Sequence, residues 1–316
     1  MTTLITGGAG FIGSRLALRL LDQGEAVIIL DNFDPYYDPA IKRANVAAMK
    51  NKALVVEGSV CDTALVESVF AQHGIDRVAH LGALANVRYS VERGRQYADV
   101  NTSGTVTMLD VARKHQVSTF VLGSTSSVYG QTTRIPFVED DAAMLPLAPY
   151  PASKRAAEMF CYSYHQLFSL NVNVVRFFNV YGPHGRPDMM PMKAIQAILR
   201  GETIQLFERG ELQRDWTYID DIVDGISAAL ERPLGYEIFN LGFGAPITLN
   251  AFIEIYERLI GKQAITVDVP TPRSEPPITY CDNSKARTLL GFAPKIDIET
   301  GLTRTWEWYC SRFGLA

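Results

Sequence analysis

Cysteine is scarce in this chain. Its 316 residues include four, Cys61, Cys161, Cys281 and Cys310, far apart and without a CxxC pair. Neither a disulfide frame nor a cysteine zinc site is expected, and a reducing compartment, the cytoplasm, is the expected setting. The five histidines, His73, His80, His115, His165 and His184, form neither HxxxH nor HExxH, so no metal is expected. No apolar run is long enough to span a bilayer. The opening "MTTLITGGAGFIG" has no basic stretch ahead of its apolar residues, so neither a secretion signal nor a membrane partner is expected. Charge of one sign is not in excess either. Thirty Lys and Arg against 34 Asp and Glu leave a net −4, which argues against a nucleic-acid platform. Internal repeats, low-complexity segments and linkers rich in Gly, Ser or Pro are missing as well.

What is present is a large apolar fraction, 47%, arranged in alternation. Strands are expected at 3–6, 26–30, 53–58, 77–82, 119–124 and 172–178, with helices near 11–23, 62–72, 93–115 and 151–169. Strands that are apolar throughout and separated by helices imply a parallel sheet covered on both faces. The fold class is therefore α/β, a doubly wound parallel Rossmann sheet. Beyond residue 180 Pro and Gly cluster, in "YGPHGRPDMMP" (181–191) and "VPTPRSEPP" (269–277). A helix near 219–231 and a strand at 237–242 look like a return to the main sheet. The expected organisation is a Rossmann domain of 1–180 plus 214–245. A smaller α/β substrate lobe at the C-terminal side would take 181–213 and 246–316.

"TGGAGFIGS" joins the first strand to the first helix. Gly7, Gly10 and Gly13 space as GxxGxxG, which permits a tight turn and close backbone approach to a pyrophosphate. The helix N-terminus adds N–H donors and a favourable dipole end. Asp31 ends the second strand, placed to accept from ribose hydroxyls. A carboxylate there repels a 2′-phosphate, so NAD is favoured over NADP. Asp62, after the third strand, either approaches the adenine or caps the next helix. The fifth strand runs into "GSTSSVYG" (123–130), and Tyr150 and Lys154 follow at helical i, i+4 spacing, on one face. A nearby ammonium and an oxidised nicotinamide would lower the phenol pKa, leaving a tyrosinate able to take a proton from a hydroxyl. His80 reads as a satisfied core residue and His184 as a loop residue.

These motifs, with "LDNF" (30–33), "HLGALA" (80–85), "RFFNVYGP" (176–183) and "RDWTYIDDI" (214–222), resemble the extended short-chain dehydrogenase/reductase family along nearly the whole chain. The resemblance implies Thr125, Tyr150 and Lys154 as catalytic residues. It implies Phe11, Ile12, Asn32 and Leu81 as further NAD contacts beside those above. It also implies a homodimer built on the helices near 93–115 and 151–169. Dehydratases and decarboxylases of this family carry an acid just after the catalytic Thr, where this chain has Ser126 and Ser127. That favours epimerisation: oxidation at sugar C4, rotation of the 4-keto sugar, and reduction from the other face.

Within the family, "YGPHGRPDM" (181–189), "DNFDPYYDPAIKRAN" (31–45) and "VRYS" (87–90) look most like the UDP-glucuronate 4-epimerases. Arg186 is then the expected bidentate partner of the sugar carboxylate, helped by Ser127, Arg88 and Ser90. Asn179 departs from that pattern and is typical of neutral-sugar epimerases and dehydratases. Arg214 and Arg273 are the expected pyrophosphate ligands, and Lys193 a further nucleotide contact.

Overall fold

A computed structural model describes residues 1–315. Seven short strands alternate with helices: β1 (Thr2–Thr6), β2 (Ala26–Asp31), β3 (Leu54–Glu57), β4 (Arg77–His80), β5 (Thr119–Thr125), β6 (Val172–Phe177) and β7 (Tyr236–Leu241). All pairings in this sheet are parallel, in the order β7-β6-β5-β4-β1-β2-β3. This is the doubly wound fold, and each strand lies within two residues of its expectation. Successive side chains point to opposite faces. Leu4, Ile28, Val78 and Phe120 therefore enter one core, while Ile5, Ile29, Ala79 and Val121 enter the other. Strand order reverses between β1 and β4, which opens a crevice at their carboxyl ends, where such sheets bind ligands.

Tyr236–Leu241 makes the expected return to the main sheet, beside β6. Gln213–Asp215 instead pairs with Pro246–Thr248 and Ile278–Thr279 in a separate three-stranded sheet. A further parallel pair joins Thr203–Phe207 to Ile265–Val269. Helices Met190–Arg200, Leu249–Ile260 and Ile298–Phe313 accompany these strands. No helix among the described residues is long and apolar enough to cross a membrane.

Two helical features differ from expectation. The segment near 93–115 is helical, but Ala98–Ser103 forms a π turn ahead of Gly104–Lys114. The wider turn accompanies an inward Asn101, which accepts the Leu84 N–H at 2.8 Å and donates to Ser153 Oγ at 3.0 Å. Such π bulges are frequent at functional sites. Residues Pro39–Ala47 form a helix that apolar spacing did not announce. Its signal is local: Asp38 caps it, accepting the Ala40 N–H at 2.9 Å, and Pro39 occupies the first turn.

Candidate active site

A cavity of about 450 Å³ runs from the β1 turn to the end of β5. At one end, Gly7 has φ +66° and sits against the β4 exit, where a Cβ would lie 2.8 Å from Gly82 Cα. At Gly13 a Cβ would be 2.3 Å from the Gly7 carbonyl. Both contacts are backbone, so only glycine keeps this turn closed. Gly10 faces the cavity: a Cβ there would meet only the Gly7 carbonyl and, at 4.0 Å, the Tyr37 hydroxyl. Phe11, Ile12, Asn32 and Leu81 line the same space.

Asp31 is buried at the tip of β2. Its oxygens accept the Ala9 N–H at 3.1 Å and the Phe33 N–H at 2.8 Å, and a carboxylate retains further lone pairs. Lys42, from the unannounced helix, stands 3.7 Å from Asp31 Oδ1 and lines the cavity. Sequence reasoning missed it because the helix itself was missed. Asp62 does not line the cavity. It caps the Thr63–His73 helix, accepting the Leu65 N–H at 3.0 Å.

The other end is set by the Pro149–Phe168 helix. Its start explains itself atom by atom. Pro149 and Pro151 carry no N–H to satisfy, the Tyr150 N–H donates to Ser90 Oγ at 3.1 Å, and the Ala152 N–H closes the first turn on Ala148 O. No backbone donor is stranded in the first turn, and Tyr150 is fixed at the cavity wall. Lys154, one turn on, lines the same cavity and is 2% exposed. Glu158, a turn further, is fully buried. It accepts from Arg176 at 3.0 and 2.8 Å, from Arg155 at 2.8 Å and from Ser124 Oγ at 2.5 Å. That cluster ties the helix to β5 and β6. Burial pushes the Glu158 carboxyl up, but Arg176 with the Ser124 and Arg155 hydrogen bonds together outweigh it and hold the group below its ordinary value.

Thr125 ends β5, and its Oγ1 accepts the Ser127 N–H at 3.2 Å. Thr125, Ser126, Ser127, Tyr150, Lys154, Asn179 and Arg186 all line this end. The electrostatics differ from expectation. Burial raises the Tyr150 phenol above its ordinary value, only partly opposed by the Thr125 hydrogen bond and the Arg186 charge. Lys154 is not among the groups that lower it, since burial brings the ammonium itself down to about 8. In the chain alone, the cation acting on the phenol is Arg186. A phenol, a neighbouring hydroxyl and two cationic side chains in one cleft suit proton exchange with a hydroxyl.

Arg186 is not idle. Its Nε and Nη2 donate to the two oxygens of Asp188, each at 3.0 Å, so the bidentate edge expected to face a sugar carboxylate already has a partner. Arg88, Arg214, Arg273 and Lys193 do not line the cavity. Arg88 and Arg214 each reach Glu275, at 3.0 Å from Oε1 and Oε2 respectively, while Arg273 and Lys193 are exposed. Ser90 is buried and serves Tyr150. His80 is core: Thr6 and Thr105 hold its two nitrogens at 2.7 and 3.1 Å, and burial lowers its pKa to about 3. His184 packs on Trp308.

The chain is 43% identical over 309 residues to a UDP-glucuronate 4-epimerase of Thermodesulfobacterium geofontis, covering 96% of this chain and 95% of that one. A solved UDP-glucuronic acid 4-epimerase from Bacillus cereus, in complex with UDP-glucuronic acid and NAD, superposes with a TM-score of 0.93 at 31% identity, covering 99% of this chain and all of the other. A UDP-glucose 4-epimerase from Thermotoga maritima with UDP-glucose reaches 0.91, also at 31% identity, covering 99% of each chain. The model of the NAD dependent epimerase/dehydratase family matches residues 3–242. With its glycine turn, its Tyr150–Lys154 helix and its seven-stranded parallel sheet, this chain belongs to that family, the extended branch of the short-chain dehydrogenases/reductases.

Proposed function

We propose that the protein is a UDP-sugar 4-epimerase with tightly bound NAD, converting UDP-glucuronate to UDP-galacturonate. One observation carries this reading: Thr125, Tyr150, Lys154, Ser126, Ser127, Asn179 and Arg186 converge on one end of a cavity whose other end is the glycine turn and Asp31. The dinucleotide fits the residues present. Gly10 leaves its face of the turn open, the first helix points its N-terminus there, and Asp31 keeps acceptor capacity for ribose hydroxyls. Lys42 adds a donor beside Asp31. Bound NAD supplies a reversible hydride acceptor and donor for sugar C4. Tyr150 takes the proton of the C4 hydroxyl and later returns it, with Thr125 hydrogen-bonded to the phenol. Lys154, as an ammonium, holds the cofactor ribose, and the Arg186 charge favours the tyrosinate. Ser126 and Ser127 contact the sugar, and neither provides the acid that an elimination needs.

Arg186 guards the intermediate. A 4-keto uronic acid is a β-keto acid and loses CO₂ when its carboxylate turns perpendicular to the carbonyl plane. Arg186 and the neighbouring hydroxyls hold it away from that geometry. Arg214, Arg273 and Lys193 belong to a nucleotide subsite in the second lobe, with Glu275 as the present partner of Arg214 and Arg88. We assign 1–180 with 216–245 to cofactor binding and 181–215 with 246–316 to the substrate, since the Gln213–Asp215 strand pairs outside the main sheet. Asp62 acts as a helix cap. The Pro149–Phe168 helix exposes Met159, Phe160, Tyr162, Leu167 and Phe168, which supports a homodimer across it. The four free cysteines suit a reducing cytoplasm.

A second reading, a neutral UDP-hexose as substrate, is favoured by Asn179 and by the Asp188 carboxylate already paired with Arg186. Incubation with UDP-glucuronate, UDP-glucose and UDP-N-acetylglucosamine without added reductant, followed by product identification, tests both. The uronate reading predicts UDP-galacturonate at unchanged mass. Faster turnover of UDP-glucose selects the second reading, and products of lower mass overturn both.

A further inference from the structure

Asp188 lies just behind the cavity wall. It does not line the cavity, whereas Arg186, Tyr36 and Asn86 do. Besides the two bonds from Arg186, its Oδ2 accepts the Tyr36 hydroxyl at 3.0 Å and Asn86 Nδ2 at 3.3 Å. Asn86 also donates to Tyr36 Oη at 2.6 Å, accepts the Tyr89 N–H at 3.0 Å, and receives the Tyr97 hydroxyl on its carbonyl at 3.0 Å. Asn86 has φ +151°, a region that residues with a Cβ rarely enter. Strain of that kind persists only where the surroundings over-determine it, and it clusters at functional sites. The arrangement is therefore a built brace, and its product is the placement of one guanidinium.

The brace has an electrostatic consequence. Burial pushes the Asp188 carboxyl up, but Arg186 and the Tyr36 and Asn86 hydrogen bonds together outweigh it and keep the group ionised below the usual carboxylate range. The pair thus faces the cavity as a cation with a carboxylate fixed 3.0 Å behind it. A sugar carboxylate arriving in front meets a nearly neutral pair, with the Nε–Nη2 edge already spent. Charges several ångströms apart in a partly buried site still interact appreciably, so Asp188 opposes what Arg186 attracts.

We propose that Asp188 is a specificity-determining residue: its charge, pinned to Arg186, reduces the preference of this site for a carboxylated sugar over a neutral one. The inference rests on the reading that Arg186 faces the substrate carboxylate. It predicts that removing one negative charge while keeping the shape sharpens uronate selectivity.

The test is binding, so it stands apart from whether either sugar is epimerised. Dissociation constants of UDP-glucuronate and UDP-glucose are measured calorimetrically on NAD-loaded wild type, Asp188→Asn and Asp188→Glu. Asp188→Asn should shift the ratio about tenfold toward UDP-glucuronate, and Asp188→Glu, which keeps the charge, should restore the wild-type ratio. An unchanged ratio, or a shift toward UDP-glucose, overturns the proposal. Should Asp188→Asn fail to fold, the wild type decides through salt. A compensated pair predicts that the ratio moves less than about twofold between about 50 and about 500 mM salt. A steep loss of uronate preference would reveal an uncompensated cation and overturn it. Absence of UDP-glucuronate turnover in the wild type would overturn the uronate reading alone.

Discussion

Replacing Lys154, whose burial disfavours its charge and which the proposed mechanism requires, should make the protein more stable and inactive. Burial lowers its pKa from the ordinary 10.5 to about 8. Above pH 10.5 the side chain is neutral in both folded and unfolded chains and costs nothing. Between 10.5 and about 8 the unfolded chain binds the proton and the folded chain does not, so stability falls as pH falls. Below about 8 the whole penalty is present. A depression from 10.5 to about 8, at roughly 1.4 kcal/mol per pKa unit, amounts to about 3 kcal/mol. Lys154→Met keeps most of the volume and removes the charge, so little packing is lost. Urea denaturation of the cofactor-free protein at about pH 7 should show the variant about 2–3 kcal/mol more stable. That advantage should shrink as pH rises from about 8 toward 10.5, while turnover is lost at every pH. A variant less stable at pH 7, or an advantage that ignores pH, would refute the reasoning.

Other expectations follow from the same cluster. Tyr150→Phe should lower kcat by about 10²–10⁴-fold with no change in the urea midpoint. Arg186→Ala should raise the proportion of decarboxylated pentose product over epimer, read by mass spectrometry. Because the Arg186 charge lowers the phenol, the same variant should move the rising limb of the pH–rate profile to higher pH. Glu158→Ala leaves the buried Arg176 without its carboxylate and should cost about 3–5 kcal/mol by urea denaturation. Replacing both residues with apolar ones should recover most of that loss.

The sheet was legible because its signal is local and redundant: apolar runs such as "AVIIL" between helices admit few other arrangements. The glycine turn was legible because Gly7 and Gly13 are required by backbone contacts that no other residue survives. Tyr150 and Lys154 stand where i, i+4 spacing put them. Tertiary partners were not legible. No spacing rule brings Asp188 to Arg186, or Glu275 to both Arg88 and Arg214, because those pairs depend on how loops fold back. The rise of the Tyr150 phenol in the chain alone was not legible either, because burial outweighs the Thr125 hydrogen bond and the Arg186 charge. The Pro39–Ala47 helix, and Lys42 with it, could have been found from the Asp38–Pro39 cap signal. Its residues also carry part of the resemblance to the uronate epimerases, which says nothing of a helix. The π turn at Ala98–Ser103 left no such trace, since it follows from where Asn101 must point.

The central claim is that hydrogen leaves C4 as hydride, stays within the site and returns to the same carbon while Tyr150 handles only the hydroxyl proton. UDP-glucuronate carrying deuterium at C4, brought to equilibrium with its epimer in ordinary water and analysed by mass spectrometry, tests it directly. Retention of deuterium at C4 in both epimers is the predicted result. Loss of the label to solvent would contradict it.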